Sequence, residues 1–308
     1  MEVEDLLERA NSLYDRGDRY EDAILLYDFV LEMNPKQKEA HLEKAAALEN
    51  LGKYEEALVQ YELLQDIDPN LIDTTSGKVG CFLELGRLEE ALQESCNCLR
   101  LDSEQDTAYP MLAEVHKLLG EHDKALEWSR IALDRDPLSL VAQVVKGEIL
   151  ELRQHWDEAL FIYDYVITVH GDIEAVHTHR ANVLLKKREY ELSLEAFDKA
   201  KKVFSSHISP CLKYSQRDCM SPYAGKAYVL ANAFEKYEEA LDVCNEGLQA
   251  MPQAASELHF YEGCIHAKLY CYADALRSFD KSLYSDPDDT LGAQHEKQRL
   301  CQCEKSVP

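Results

Sequence analysis

Histidine and cysteine are the residue types in this chain best suited to hold a metal. His170, His177 and His179 stand within ten positions, and His207, Cys211 and Cys219 within thirteen. A structural zinc site takes two pairs of ligands, the members of each separated by two to four residues, and neither set supplies two such pairs. Only an unsuspected metal at His207, Cys211 and Cys219 would make an enzyme of this chain. Cys96 and Cys98, and Cys301 and Cys303, are spaced i, i+2. On a helix such a pair points to different faces and closes no strain-free disulfide. No glycine-rich phosphate loop, His-Glu-x-x-His pair, Gly-x-Ser-x-Gly elbow or calcium loop occurs. The sequence therefore predicts no catalytic centre, no metal and no cofactor.

Composition narrows the alternatives. The chain has 308 residues, 46% hydrophobic and 30% charged, which is enough apolar material for a sizeable core but more than one core usually holds. Two domains or one elongated array are the options. The net charge of −25, from 58 acidic against 33 basic residues, repels nucleic acid and anionic membranes. Acidity serves either solubility or a basic partner. The start, Met1-Glu2-Val3-Glu4-Asp5, lacks the features of a secretory signal, and no run approaches about 18 apolar residues. The ten cysteines read as reduced thiols packed as small apolar side chains, as at Cys81, Cys98, Cys244 and Cys264, in a cytoplasmic protein.

The positioning elements show in an internal repeat. GKYEEAL at 52–58, GRLEEAL at 86–92, EHDKAL at 121–126 and KYEEAL at 236–241 share an Ala-Leu ending. The alanine recurs every 34 residues as Ala23, Ala57, Ala91, Ala125 and Ala159, then as Ser193, and returns at Ala240 and Ala275. About twelve residues before each stands another small residue: Ala10, Ala45, Val79, Ala113, Gly147, Ala181, Ala227 and Gly263. Short side chains on both helices let an antiparallel pair approach at the near end of the usual spacing. Gly17, Gly52, Gly86 and Gly120 suit the left-handed residue that ends each first helix, with Gln154, Arg188 and Tyr270 in that place later. Pro35, Pro69, Pro137, Pro252 and Pro287 close the second helices.

Small residues at the eighth and twentieth positions, glycine near the fifteenth, an aromatic at the seventeenth and proline at the thirty-second resemble the tetratricopeptide repeat family. The likeness runs over about 90% of the chain by this register. It departs at the fourth position, where Leu6, His41, Tyr109, Gln143 and His177 replace the family's tryptophan. The resemblance implies an all-α, right-handed superhelical solenoid of about eight hairpins with a concave groove lined by first helices. The expected organisation is repeats one to six over 1–204, an irregular insertion at 205–222, and repeats seven and eight over 223–288. A capping helix over 289–303 and a tail at 304–308 follow. The insertion reads equally as a functional loop or hinge, or as an extended second helix with a linker.

In that register the groove of the middle repeats is lined by Met111, Glu114 and Leu118, then Val141, Val144, Val145, Glu148, Glu151 and Leu152, then His179 and Asn182. Met111, Val144, Val145 and Leu152 form either an exposed apolar strip rimmed by carboxylates or, if curvature closes over them, buried packing. The expected function is a non-enzymatic adaptor or scaffold holding a partner peptide or protein with apolar and basic residues in this groove, the chain itself favoured as a monomer. Alternatives are a self-associating structural array and a co-chaperone-like adaptor. The family's clamp for acidic chaperone tails keeps only Asn11 in the first window, where Leu7, Glu43, Asp73 and Gly77 fill the other places. Glu43 would repel a terminal carboxylate.

Overall fold

A computed structural model describes residues 3–17, 19–101, 106–203, 220–288 and 291–304, with side chains to 301. Among the described residues the elements are helices, apart from one 3-10 turn at Pro252–Ala254, and there is no strand. The chain is an all-α helical repeat solenoid, and two compact units divide it, Met1–Ile149 and Leu150–Pro308. The division falls inside a helix of repeat five, not at the expected insertion. Residues 205–219 of that insertion, with His207, Cys211 and Cys219, lie outside the described residues.

Unit 1 contains four hairpins: α1 (Val3–Tyr14) with α2 (Tyr20–Met33), α3 (Lys38–Asn50) with α4 (Tyr54–Ile67), α5 (Ile72–Glu84) with α6 (Leu88–Leu101), and α7 (Ala108–Leu118) with α8 (His122–Arg135). It ends within α9 (Leu140–Leu152). Unit 2 takes the last residues of α9, then α10 (Trp156–His170), and pairs α11 (Glu174–Lys186) with α12 (Tyr190–Val203). It also pairs α13 (Pro222–Ala233) with α14 (Tyr237–Ala250) and α15 (Ala255–Lys268) with α16 (Tyr272–Ser285), and closes with α17 (Ala293–Glu304). The last helix starts four residues later than the capping helix expected from sequence.

Each hairpin closes where its small residues meet. Ala10, Ala23, Ala45, Ala57, Ala91, Ala113, Ala125, Ala181 and Ser193 are fully buried, as are Ala227, Ala240 and Ala275. Larger side chains fill the space beside them: Tyr27, Tyr163, Phe197 and Phe279 are among the largest fully buried groups. In unit 1 the first helices α1, α3, α5 and α7 also touch in succession, and in unit 2 α11 touches α13 and α13 touches α15. First helices thus share one side of each unit, and second helices are spaced apart on the other.

The turns between paired helices repeat one hydrogen-bond pattern. Lys53 N–H donates to Leu48 O at 2.9 Å, Arg87 to Phe82 at 2.8 Å, and Glu121 to His116 at 2.9 Å. These six-to-one closures need a left-handed residue just before the donor, which Gly52, Gly86 and Gly120 supply at φ of 73°, 71° and 75°. Gln154, Arg188 and Tyr270 hold the same conformation at φ of 63°, 63° and 62°, although they carry side chains. An L-residue there gives up about 1 kcal/mol or more.

Of the fourth positions without tryptophan, His41, Gln143 and His177 are buried and bonded to the preceding turn. His41 lies 3.1 Å from Pro35 O, Gln143 donates to Pro137 O at 2.7 Å, and His177 lies 2.7 Å from Asp172. A polar side chain substitutes for the large ring by tying the helix start to the turn before it.

Gly225 faces Phe197 so closely that a Cβ there would fall 2.2 Å from Phe197 Cζ. The ring is fully buried and has no space into which to withdraw. Gly225→Ala is expected to destabilise the protein by about 1 to 3 kcal/mol, read as a lower denaturation midpoint with the helical circular-dichroism signal retained below it.

Candidate protein-binding site

In unit 1 the expected groove residues divide sharply by exposure. Val144 and Val145 are each 1% exposed, so the apolar strip is not open at these positions. Val145 packs with Ala113, Ala125 and Ile149, and with the half-buried Val141, Leu126 and Trp128. Of the strip, Met111 is half-buried, as is the neighbouring Leu118.

Beside that packing lies a buried charge cluster. Lys117 Nζ donates to Glu114 Oε1 at 2.9 Å and to Glu148 Oε2, and the three side chains are nearly inaccessible. Burial works against the ammonium, but the two carboxylates outweigh it and raise its pKa. Glu114 and Glu148 therefore tie α7 to α9 and are not presented to solvent.

A second cluster in unit 2 centres on Glu151. Its carboxylate accepts from Lys186 Nζ at 2.8 Å and from Tyr163 OH at 3.3 Å, and lies 3.3 Å from His179 Nδ1. The His179 ring stacks on Tyr163 with centroids 5.7 Å apart, and Lys186 Nζ sits 5.4 Å over the Trp156 ring. Burial pushes the Glu151 pKa up, but His179 and Lys186 together outweigh it, and the carboxyl titrates below its usual 4.5. Asn182 is buried, with its amide donating to Thr178 O at 2.8 Å and Met220 O at 3.3 Å. Leu152 is 46% exposed.

The open concavities of unit 2 lie on its first-helix side. One of about 560 Å³ is lined by Asn182, Lys186, Arg188, Met220, Tyr228 and Tyr261 among others. The next, about 370 Å³, shares Tyr228, Asn232 and Tyr261 and adds Phe260, Lys268 and Arg299. Tyr228 and Tyr261 meet edge to face at 5.8 Å, making an aromatic wall common to both. Lys268 Nζ donates to Asn232 Oδ1 at 2.7 Å, a neutral amide that leaves the positive charge in place. Burial pushes the Cys264 thiol up to about 12, so it is an uncharged part of the lining.

The tetratricopeptide repeat family matches residues 7–72. The same hairpin, with the same buried small residues and turn closure, recurs through the described residues of both units. Residues 7–72 are tetratricopeptide repeats, and the hairpins that follow repeat their architecture.

Among solved structures, the chain is similar to the APC/C hetero-tetramer Cut9-Hcn1, with a TM-score of 0.67 at 17% identity over 96% of this chain. It is similar to yeast Tom70 at 0.69 and 16% over 100% of this chain. The chain spans 55% of the first and 66% of the second. A tetratricopeptide repeat protein from Parabacteroides merdae ATCC 43184 aligns over 97% of this chain and 98% of its own at 16% identity, TM-score 0.57. At such identities the likeness is one of fold. No curated protein matches the sequence.

Of the tetratricopeptide positions expected to line a groove, Glu114, Val144, Val145 and Glu148 are brought together in buried packing, and Glu151 and His179 in the second cluster. Asn182 lines the larger concavity beside Lys186, and the first-helix positions of repeat eight, Phe260, Tyr261, Cys264 and Lys268, line the smaller one. Tyr228 and Asn232 were missed, although they occupy the same ninth and thirteenth positions of repeat seven that Asn182 and Lys186 occupy in repeat six. His177 and His179 contact Asp172 and Glu151, and among the described residues no group of three potential ligands could hold a metal ion. Cys96 is exposed and Cys98 buried, on different faces of α6. No described helix is long and apolar enough to cross a membrane.

Two outcomes follow from the buried clusters. Val145→Asp places an unpaired carboxylate in packed apolar surroundings and is expected to cost about 3 kcal/mol, or about 6 to 12 °C in Tm by thermal melting. Because the folded Glu151 pKa lies below the unfolded 4.5, its contribution is present above pH 4.5 and lost as pH falls through the folded value. Glu151→Gln is expected to be less stable by about 2 kcal/mol at pH 7, with the gap to wild type closing below pH 4.5 in urea titrations.

Proposed function

We propose that this protein is a non-catalytic adaptor or scaffold that holds a partner protein, and that unit 2 takes an extended segment of that partner against α11, α13 and α15. The observation that carries this reading is the pair of adjoining concavities with Tyr228 and Tyr261 as a shared wall. Aromatic side chains with polar neighbours supply apolar area at small entropic cost, and they are the residues over which binding energy concentrates at protein interfaces. The fold supports the same reading, since the similar Cut9-Hcn1 structure is of a hetero-tetramer.

The lining selects the chemistry of the segment. Lys186, Arg188, Lys268 and Arg299 stand against the single carboxylate Glu296. Glu151 compensates Lys186, and Glu296 compensates Arg299 at 2.8 Å, which leaves Arg188 and Lys268 as the charges a ligand meets. On this face the favoured segment has an aromatic or aliphatic anchor with an acidic residue beside it. The basic partner suggested by the net charge of −25 finds no complement here. In unit 1, Val144, Val145, Glu114 and Glu148 enter the proposal as packing that holds first helices in place.

Fluorescent peptides carrying Phe or Leu next to Asp or Glu, titrated against the full chain, test the site. Tyr228→Ala and Lys268→Glu are each expected to weaken binding about tenfold, equivalent to about 1.4 kcal/mol. Equal affinity for wild type and both variants rejects this surface.

A further inference from the structure

The outward faces of the second helices carry apolar side chains in two consecutive repeats, the first and second, and again in the fifth. Counted from the small residue of each second helix, the positions two and six residues on are solvent-facing or partly so in every repeat. Repeats six to eight place charge there, as an outer face requires: Glu195 and Lys199 in α12, Asp242 and Glu246 in α14, Arg277 and Lys281 in α16. In α10 the places hold Phe161 and Tyr165, a single apolar ridge with no apolar counterpart at both places on the second helix before or after it. In α2 and α4 the same places hold Leu25 and Phe29, and Val59 and Leu63, with Met33 one turn further along α2. These five are between 43% and 58% exposed.

Their i, i+4 spacing makes each set a ridge along its helix. From Leu25 to Met33 the ridge runs about 12 Å at 1.5 Å per residue. Since α2 and α4 belong to consecutive hairpins, the two ridges lie on the same side of unit 1, opposite the side shared by the first helices.

The charges bordering these ridges have one sign. Helix α2 carries Glu21, Asp22, Asp28 and Glu32, helix α4 carries Glu55, Glu56, Glu62 and Asp66, and neither contains Lys or Arg. Arg19, Lys44 and Arg87 from adjoining elements meet Asp22, Asp28 and Glu55. Glu21, Glu32, Glu56, Glu62 and Asp66 stay exposed. A second copy would bring the same carboxylates and a further −25 to the contact, and an anionic lipid surface would be repelled as well.

We infer that the α2–α4 face is a second docking surface, separate from the first-helix face, for a cationic amphipathic helix: an apolar stripe of two to three turns flanked by Lys and Arg. Apolar side chains of the partner seat between the two ridges, and its cations meet the bordering carboxylates. The adaptor thereby offers two faces of opposite charge preference, one on each unit.

The probe is a fluorescent 18-residue synthetic helix with Leu at i, i+3 and i+4 spacing and Lys on its flanks, compared with a peptide of the same composition in shuffled order. Binding to the full chain is followed by anisotropy. The ordered peptide is expected to bind at least tenfold tighter than the shuffled one. Phe29→Ser with Leu63→Ser is expected to weaken it at least tenfold without changing the charge, as is the second pair, Leu25→Ser with Val59→Ser. All four positions are exposed, so the helical signal should persist. Tyr228→Ala should leave this binding unchanged, which separates it from the unit 2 site. Equal affinity for the ordered and shuffled peptides, or unaltered binding by both double variants, overturns the inference. So does light scattering that finds a wild-type dimer abolished by Phe29→Ser with Leu63→Ser, because the face would then belong to a second copy.

Discussion

The close approach of two helices over short side chains is the constraint on which each unit depends. An alanine, serine or glycine on both partners brings the axes together, and a tyrosine or phenylalanine one turn along occupies the space left at the side. Phe279 can be fully buried because the opposing position on its partner helix is Gly263. The same device joins consecutive hairpins, where the Tyr61 and Phe197 rings lie where a Cβ of Gly77 and of Gly225 would be. Once that contact is fixed, the first helix has one face against its partner and another against the neighbouring hairpin, and little freedom remains in what it shows to solvent.

That restriction explains what could be read from the sequence and what could not. The spacing of Ala23, Ala57, Ala91, Ala125 and Ala159 encodes hairpin contacts, which are local and repeat, so fold class, helix order and turn conformation were all legible. Even Gln154, Arg188 and Tyr270 were identifiable as left-handed residues, because register counts positions whatever their chemistry. Exposure along a first helix is a different matter, since it depends on how far the next hairpin leans over. Val145 and Tyr228 both occupy lining positions in the register, yet one is sealed among Ala113, Ala125 and Ile149 and the other forms a wall of an open cavity. Nothing local to Val145 distinguishes the two. Met33 and Phe29 on α2 were legible in principle, through comparison of one repeat position across all the second helices.

The buried charges carry a related lesson. In sequence, Glu114, Glu148 and Glu151 appear as an acidic rim suited to a basic ligand. In the fold, Lys117 satisfies the first two, and Lys186 with His179 satisfies the third. Desolvated carboxylates with partners in place are cross-braces between helices, and their removal leaves a charge stranded. Net charge describes the whole chain, while recognition depends on which charges remain accessible: cationic groups border the concavities of unit 2, and carboxylates border the ridges of α2 and α4.

The left-handed turn at Arg188 shows how such a surface can vary without disturbing the scaffold. Glycine would serve the backbone better there, but it would leave the rim of the neighbouring cavity bare. An arginine accepts conformational strain and sets a guanidinium at the entrance, attached to a bend that no helix packing relies on. Tyr270 holds the same conformation in the turn after α15, so unit 2 can alter its ligand preference one bend at a time while its buried contacts stay as they were.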